Sequence, residues 1–433
     1  MATSGLSVAW SWHGQRDALL AEAHARPSTP LSPPMLVTRI ATISGLKGER
    51  DDRAHMTAVC ARLGQPEPGP TARWCVVDAG NWSLRWERHT EGSTWTFFRV
   101  PRRAEPFSET AMDLAPQDWV AGFPGQVLVA ARLEVRPKSG RASPKSFFGP
   151  EAVGARLPDG GGSEAMTDFR PDSLGMTRFL LLDGAGDPVV TGRHVQALLE
   201  IETYRLLALM AFPVAGAAAA ELGGIEERAA ELAGALVEKS DIEADRALLD
   251  RLANLAGETE ALIGRTSFRF GAAGAYHRLV GERIERLREE RLNGMVTIGE
   301  FMQRRLEPAM RTCDAVERRE RAAIDRIARM AQMLSTRVGV ASEATSAALL
   351  RSMDRRAAVQ IRLQQTVEGL STVAIAYYAV GLLGFVLKGL ETAWSGFDAT
   401  VAAGIAAPLV VFGVWWSMRA MRVRLSRLAD GHG

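Results

Sequence analysis

The sequence predicts an α+β cytoplasmic domain with a largely antiparallel sheet, followed by a long helical coiled-coil region and a C-terminal transmembrane hairpin of two helices. Three observations predict this arrangement: short apolar runs broken by turn residues, then long segments rich in Ala, Leu, Arg and Glu, then two charge-free stretches. The predicted parts are residues 1–192 for the α+β domain, 193–366 for the helical stalk, 367–418 for the hairpin and 419–433 for a basic cytoplasmic tail.

Short strand-like runs fill the first part and are separated by clusters of Gly, Pro and Asp. A helix is predicted at Arg50–Leu63, because small and apolar residues recur there at approximately helical spacing. The triple glycine at 160–162 lacks a following GK[ST] and predicts a flexible loop without phosphate-binding character. The predicted strands are Met35–Ile43, Trp74–Val77, Trp82–His89, Thr94–Val100, Val127–Val135 and Phe179–Leu182.

Long helices are predicted after Gly192, with Pro213 and the glycines at 223 and 224 marking the first break. The predicted helices are Arg193–Phe212, Ile225–Glu238, Ile242–Phe268, Ala275–Leu292 and one that begins near Gly299. In the last helix, apolar and small residues at three-four spacing predict a narrow coiled-coil seam. The seam residues are Ile324, Ile327, Ala331, Leu334, Val338, Ala341, Thr345 and Ala348.

Two stretches without a charged side chain, Gly369–Leu387 and Ala399–Met418, are each long enough to cross a bilayer. We expect spans at about 369–388 and 399–418. Arginines precede the first stretch and follow the second, whereas Lys388 is the single basic residue of the connecting loop. This distribution predicts that both termini are cytoplasmic and that the lipid bilayer is a partner.

Four polar residues in the first predicted span need a protein or water environment, because an unpaired hydroxyl in lipid is costly. They predict either a homo-oligomer, in which neighbouring helices cover them, or a pore. These residues are Ser371, Thr372, Tyr377 and Tyr378.

Composition and charge exclude several classes of protein. The 433 residues are 47% hydrophobic, and 52 basic against 50 acidic side chains leave a net charge of only +2, so no nucleic-acid partner is predicted. Cys60, Cys75 and Cys313 form no CxxC pair and predict reduced thiols, with no disulfide framework and no zinc site. The first residues also lack an export signal, which predicts a cytosolic location for the N-terminal part.

Several segments resemble the uncharacterised membrane-anchored proteins of bacteria grouped as the domain-of-unknown-function (DUF) 3422 family. The resemblance covers nearly the whole chain and implies a multi-pass protein of the bacterial inner (cytoplasmic) membrane, without implying an activity. The segments that carry it are EAHARPSTPL (Glu22–Leu31), DRAHMTAVCARLG (Asp52–Gly64), WERHTEGSTWTFFR (Trp86–Arg99), EIETYRLLALMAFPVA (Glu200–Ala215) and IRLQQTVEGLSTVAIAYYAVGLLGF (Ile361–Phe385).

The order of the predicted parts also resembles that of CorA-type magnesium transporters. The Gly-Met-Asn motif of that family is missing, because the chain after the first span reads Leu387-Lys388-Gly389-Leu390. A cation channel or transporter formed by the first spans is therefore kept as an alternative that rests on layout alone.

One strand-like segment offers candidates for catalysis or metal binding. Alternation along Trp86–Glu91 places Glu87, His89 and Glu91 on one face, where a histidine between two carboxylates can ligate a metal or transfer protons. His24 is a further catalytic candidate, and His55 with His89 is the candidate metal pair. No cofactor is predicted, and a divalent cation is compatible with these ligands. The alternative is a set of ion pairs with Arg88 or Arg99.

A second set of carboxylates, Glu200 and Glu202, lies on an otherwise apolar helix. We expect them to pair with an arginine-rich helix that carries Arg278, Arg283 and Arg286. The sequence as a whole favours a non-enzymatic role: a membrane-anchored, cytoplasm-facing, oligomeric scaffold or sensor that couples a soluble domain to the bilayer. An enzyme that uses the His89 neighbourhood is the other alternative.

Overall fold

The computed structural model describes residues 28–338, with gaps at 139–144, 160, 238–241 and 293. It also describes the separate residues 12–14, 16, 380, 404, 407–408, 411–413 and 416. The contacts divide the chain into two compact units, one formed by Ser28–Met353 and the other by Met1–Pro27 with Asp354–Gly433. The first unit contains the sheet, the long helices and the candidate site.

Nine strands of the described residues form a single mixed sheet in the order β2-β3-β4-β1-β5-β8-β7-β6-β9. Strands β5 and β8 run parallel, and the other neighbours are antiparallel. The strands are β1 (Met35–Ile43), β2 (Trp74–Asp78), β3 (Ser83–Arg88), β4 (Gly92–Arg99), β5 (Gln126–Pro137), β6 (Val153–Leu157), β7 (Ser163–Pro171), β8 (Thr177–Asp183) and β9 (Glu290–Arg291).

The predicted fold class included a largely antiparallel sheet in residues 1–192, and the mixed sheet corrects this prediction. The chain leaves β5, builds the β6–β7 hairpin, and returns through β8 beside β5 in the same direction. Such a parallel neighbour needs a long connection, which a pattern of short local strands does not indicate. Strands β6 and β7 lie on either side of the triple glycine at 160–162 and were not predicted, nor was the two-residue β9.

The two faces of the sheet are covered by different helices because side chains alternate along each strand. On one face, Trp86, Trp95 and Phe97 pack in a core cluster with Met56 and Trp119. The other face belongs to a larger core cluster that includes most of the long helices. In chain order the helices are α1 (Glu49–Arg62), α2 (Gln117–Ala121), α3 (Lys145–Phe148), α4 (Pro188–Leu209), α5 (Ala211–Val237), α6 (Ile242–Leu287), α7 (Ile298–Arg305) and α8 (Glu307–Val338).

The long helices pack on one another and on the sheet within the same unit, which corrects the prediction of a coiled-coil stalk. The seam residues Ile324, Ile327 and Leu334 are buried in the core cluster shared with α5 and α6. The apolar stripe of α8 therefore faces helices of its own chain. The seam positions from Ala341 onward lie outside the described residues.

Two predicted helix breaks are wrong. Helix α5 continues through Pro213, Gly223 and Gly224, and α6 continues for 46 residues through the predicted gap at 268–275. Pro213 is tolerated because it lies in the first turn of α5, where a backbone N–H has no partner inside the helix. The glycines are tolerated because tertiary packing of a helix face outweighs intrinsic propensity.

Most of the predicted two-helix hairpin, including Ser371, Thr372, Tyr377 and Tyr378, lies outside the described residues, so the pore alternative stays a prediction. Within the described residues, one helical run, Pro188–Val237, is long and apolar enough to cross a membrane. Its most apolar window has a mean hydropathy of 1.7 and is 33% buried. Ala215, Leu222 and Ile225 of this run lie in the core, as in a core helix of a folded domain. The described fold is thus a mixed sheet with a helical bundle, and the fold prediction that ended in a hairpin is corrected.

Candidate functional site

Charged side chains line the face of the sheet that is covered by α4 and α6. Arg39 of β1 lies opposite Thr96 of β4, and Thr96 lies opposite Arg85 of β3. Glu87 lies one step along the same face, opposite Thr94. All five side chains are buried, with relative exposures below one tenth. Because buried charges must be paired to be tolerated, their partners decide what this face can do.

Three ion pairs, one buried and two partly buried, connect this face to its neighbours. Arg85 donates to Glu87 at 2.7 Å within β3. Arg269 of α6 donates to Glu91 in the β3–β4 turn, and Arg283 of α6 donates to Glu200 of α4. Together with the residues between them, these pairs form what we call the ionic layer. Its members are Arg39, Arg85, Glu87, Glu91, Glu200, Tyr204, Arg269, Tyr276 and Arg283.

Two tyrosines link the ion pairs of the layer. The rings of Tyr204 on α4 and Tyr276 on α6 stack with centroids 5.9 Å apart. The Tyr276 hydroxyl donates to Glu91 at 3.2 Å, so the β3–β4 turn is held to α6 by both Arg269 and Tyr276. The Tyr204 hydroxyl makes no hydrogen bond to a residue that the structure describes. The layer thus contains one phenol that is engaged and one that is available.

Unlike the other three arginines of the layer, Arg39 makes no ion pair with the described residues. Its Nε donates to Thr96 Oγ1 at 2.9 Å, and its side chain makes no other hydrogen bond or ion pair with the described residues. Its relative exposure is 5%. Glu87 and Glu200 act on Arg39 electrostatically, but their ion pairs are with Arg85 and Arg283. Arg39 is therefore a buried arginine that is held in the layer by one hydrogen bond to β4.

The pKa shifts follow this distribution of charge. Burial lowers the pKa of Arg39, and the opposing effects of Glu87 and Glu200 do not cancel it. Burial would raise the pKa of Glu87, but Arg85 and Arg39 outweigh it, so that this pKa is lowered. Burial together with Glu200 raises the pKa of Tyr204 to about 12. Near neutral pH, Glu87 is therefore ionised and Tyr204 is neutral, while the neighbours of Arg39 do not fully offset the effect of its burial.

A family model described as "Protein of unknown function (DUF3422)" matches residues 11–425. The chain belongs to the DUF3422 family. This membership confirms the resemblance carried by the five segments from Glu22 to Phe385. No curated protein and no solved structure matches the chain.

In this DUF3422 chain, the candidate catalytic and metal-binding residues around His89 lie on the face of the sheet that α4 and α6 cover. Glu87 pairs with Arg85, and Glu91 pairs with Arg269. His89 Nε2 lies 3.1 Å from Thr94 Oγ1. The alternative partners, Arg88 and Arg99, bind Asp52 and Glu109 instead. The two carboxylates are therefore already engaged by arginines.

The histidines proposed as a metal pair lie on opposite faces of the sheet. His55 stacks on Trp119 with ring centroids 4.5 Å apart and packs edge-on against Trp95. His89 lies on the ionic-layer side, and His24 lies outside the described residues. In the described part of the chain, no group of three or more His, Cys, Asp or Glu residues is placed to hold a metal ion.

The carboxylates predicted on the apolar helix have two different partners. Glu200 pairs with Arg283 of α6, as the sequence indicated. Glu202 is fully buried and pairs with Arg205 of its own helix, while Thr177 of β8 donates to it at 2.8 Å. Glu200 therefore joins α4 to α6, and Glu202 joins α4 to the sheet.

An open surface pocket of about 520 Å³ adjoins the outer edge of the layer. It is lined by charged residues only: Asp159, Glu282, Glu285, Arg286 and Arg288. Glu282 touches the layer, because it lies 3.6 Å from Arg283. The pocket residues Arg288 and Asp159 are largely exposed, so solvent screens their charges. The ionic layer is the better candidate site, because its charged side chains are more deeply buried and its ion pairs connect the sheet to α4 and α6.

Proposed function

We propose that this DUF3422 protein is a membrane-tethered sensor, in which the ionic layer responds to a ligand and helices α6 and α8 pass the response toward the membrane-embedded C-terminal region. The observation that carries the proposal lies on two successive turns of α6. Arg269 binds Glu91 in the layer, while Thr266 donates to the carboxylate of Glu320 on α8 at 3.0 and 3.1 Å. One segment of α6 is thus fixed to the sheet on one side and to α8 on the other.

The contact between α6 and α8 is well suited to transmit a change. Thr266 and Glu320 are both buried, with exposures of 2% and 1%. The carbonyl oxygens of Leu262 and Ile263 are alternative acceptors for the Thr266 hydroxyl, so a displacement of α6 either moves α8 or shifts this hydrogen bond back into α6. A change in the layer therefore has a direct route to α8.

The membrane tether is supported by the sequence after α8. The chain continues from Val338 to the charge-free stretches Gly369–Leu387 and Ala399–Met418, which are bounded by arginines. In a bacterial inner membrane this distribution holds both ends of the chain in the cytoplasm. The four polar residues of the first stretch favour a homo-oligomer, in which neighbouring helices satisfy their hydroxyls.

Carbonate extraction of native membranes tests the tether. The full-length chain is expected to stay in the membrane pellet, whereas the double variant V373R/V410R is expected in the supernatant, because each arginine in an apolar span costs about 2.5–3.5 kcal/mol. Release of the unmodified chain by carbonate would remove the tether from the proposal. A monomeric mass in detergent would contradict the homo-oligomer in this proposal.

Amide hydrogen exchange of the full-length protein tests the coupling. Glu91→Gln leaves Arg269 without its carboxylate, and we expect faster exchange in α6 around Thr266 and in α8 around Glu320. The matched control is Glu221→Gln, because Glu221 pairs with Arg265 on the exposed side of the same helix. An effect of Glu91→Gln that stays in the β3–β4 turn would contradict coupling through α6.

A further inference from the structure

The two edges of the described sheet differ in how they are protected. Strand β9 ends the sheet on one side and has only two residues, both charged. Strand β2 ends it on the other side with five residues, Trp74–Asp78, which include no lysine, arginine or proline. A very short or charged edge strand discourages pairing with another chain, whereas a longer one rich in valine and aromatic residues permits it. Of the two edges, β2 is therefore the one that is open to another strand.

The backbone of β2 has unpaired groups along its outer side. Just before the strand, the Arg88 N–H donates to the carbonyl of Arg73 at 2.6 Å, so the carbonyl of Arg73 points toward β3. In an antiparallel pair, the N–H and C=O groups of successive residues point alternately toward the neighbouring strand and away from it. The residues that point away from β3, and whose backbone makes no hydrogen bond to the backbone of a described residue, are Trp74, Val76 and Asp78.

The side chains of these three residues suit a second copy of the same strand. Trp74 and Val76 are 42% and 54% exposed, although both are large and apolar. Asp78 is exposed, and its side chain accepts a hydrogen bond from the Gly80 N–H without forming an ion pair with the described residues. When two β2 strands pair antiparallel about Val76, each Trp74 lies opposite Asp78 of the other copy. An indole donor then faces a carboxylate, and the two Val76 side chains face each other.

We propose that strand β2 pairs antiparallel with β2 of a second copy, which joins the two nine-stranded sheets into one. Each opposed pair of outward-pointing residues exchanges two backbone hydrogen bonds. A two-fold axis relates the copies, so the interface closes at two chains. Because a pair of five-residue strands is short, the interface rests on the proposed tether, which holds the copies in one membrane at a high local concentration.

Thiol cross-linking of the full-length chain in native membranes, with a short bismaleimide, tests the interface. All variants carry Cys75→Ser, and the remaining native thiols, Cys60 and Cys313, are buried. We expect a cross-linked dimer with Val76→Cys, because the two positions face each other across the two-fold axis. The matched control is Leu174→Cys, which lies in the β7–β8 turn, is 60% exposed and is expected to give no dimer.

Three results of the cross-linking experiment would overturn the proposal. Equal dimer yields from Val76→Cys and Leu174→Cys would show random collisions. A cross-link from Val76→Cys to a different protein would remove the second copy as the occupant of the edge. A chain that stays in the membrane pellet after carbonate extraction, but gives no dimer, would overturn the interface and leave the tether standing.

Amide exchange of the full-length protein in liposomes, resolved by residue, tests the pairing without a new thiol. In the unmodified protein, we expect slow exchange at Trp74, Val76 and Asp78. Val76→Pro removes an outward N–H and no hydrogen bond to β3, so the strand stays in place while the second copy is lost. Exchange at Trp74 and Asp78 is then expected to become fast, whereas Cys75 and Val77, which bond to β3, stay slow. Fast exchange at Trp74 and Asp78 in the unmodified protein would contradict the paired edge.

Discussion

Nη1 of Arg88 lies 3.0 Å from Oδ2 of Asp52, and this ion pair is almost fully withdrawn from solvent. The same carboxylate oxygen accepts hydrogen bonds from Ser44 and Ser93, at 2.8 and 2.6 Å. The pair lies on the face of the sheet opposite to the ionic layer and fixes α1 to the β3–β4 hairpin. Because Glu91 lies in the turn of that hairpin, the Asp52–Arg88 pair also positions the layer.

Removal of this carboxylate is expected to destabilise the fold. Asp52→Ala leaves Arg88 buried without a counter-charge, which lowers the free energy of unfolding by about 3–5 kcal/mol. Urea denaturation followed by circular dichroism measures the change. The control is Asp118→Asn, which breaks an exposed pair with Arg62 and is expected to have little effect. Equal effects of the two variants would contradict the role of the buried pair.

His55 is expected to make stability depend on pH. Burial among aromatic rings lowers the pKa of His55 to about 4, from about 6.5 in the unfolded chain. The folded state therefore binds fewer protons, so the stabilisation is complete above pH 6.5 and is lost as the pH falls toward 4. After a discount for partial exposure, the effect is about 1–2 kcal/mol.

The variant His55→Phe isolates this contribution, because it keeps an aromatic ring beside Trp119 and removes the titration. The difference in unfolding free energy between variant and unmodified protein is expected to shift in favour of the variant as the solution is acidified. A difference that is constant with pH would show that the pKa of His55 is the same in the folded and the unfolded chain.

The start of α7 is expected to depend on one hydroxyl. Thr297 accepts a hydrogen bond from the Glu300 backbone N–H, and the Glu300 side chain accepts one from the Thr297 backbone N–H. Thr297→Ala breaks this capping box and is expected to cost about 1 kcal/mol of stability. Thr312→Ala is the control, because Thr312 bonds only within its own helix and is exposed. In thermal unfolding, we expect Thr297→Ala to have a lower midpoint temperature than the unmodified protein and Thr312→Ala to have nearly the same one. Equal midpoints for the two variants would contradict the role of the capping box.

The three cysteines are expected to be unreactive in the folded protein. Burial raises the pKa of Cys60 to about 12 and that of Cys313 to about 11, and it also raises the pKa of Cys75. Because the thiolate is the reactive form, modification by an aromatic disulfide reagent at neutral pH should be slow until denaturant is added, and then complete. Fast reaction of the folded protein would show that the thiols are accessible.

Local patterns predicted individual elements better than their arrangement. The bounds of β1 match the prediction because Met35–Ile43 is a compact apolar run between turn residues. The parallel pairing of β5 and β8 depends on where β6 and β7 insert, which no local pattern indicates. The seam of α8 was correctly identified as an apolar stripe, but spacing alone does not tell whether its partner lies in the same chain.

The candidate site was partly predictable. Alternation placed Glu87, His89 and Glu91 together, and charge complementarity indicated the pair of Glu200 with Arg283. Arg39 was missed, because its neighbours come from elements far away in sequence. The available signal was an arginine at the centre of the otherwise apolar strand MLVTRIATI, where a charge needs a buried partner or a ligand.

Amide exchange in α8 of the full-length protein, recorded for the unmodified chain and for Glu91→Gln, tests the link between the ionic layer and the helices. We expect faster exchange around Glu320 in Glu91→Gln, because loss of the Arg269 pair loosens the segment of α6 that is attached to Glu320. Exchange in α8 that is the same in the two proteins would contradict the proposed sensor.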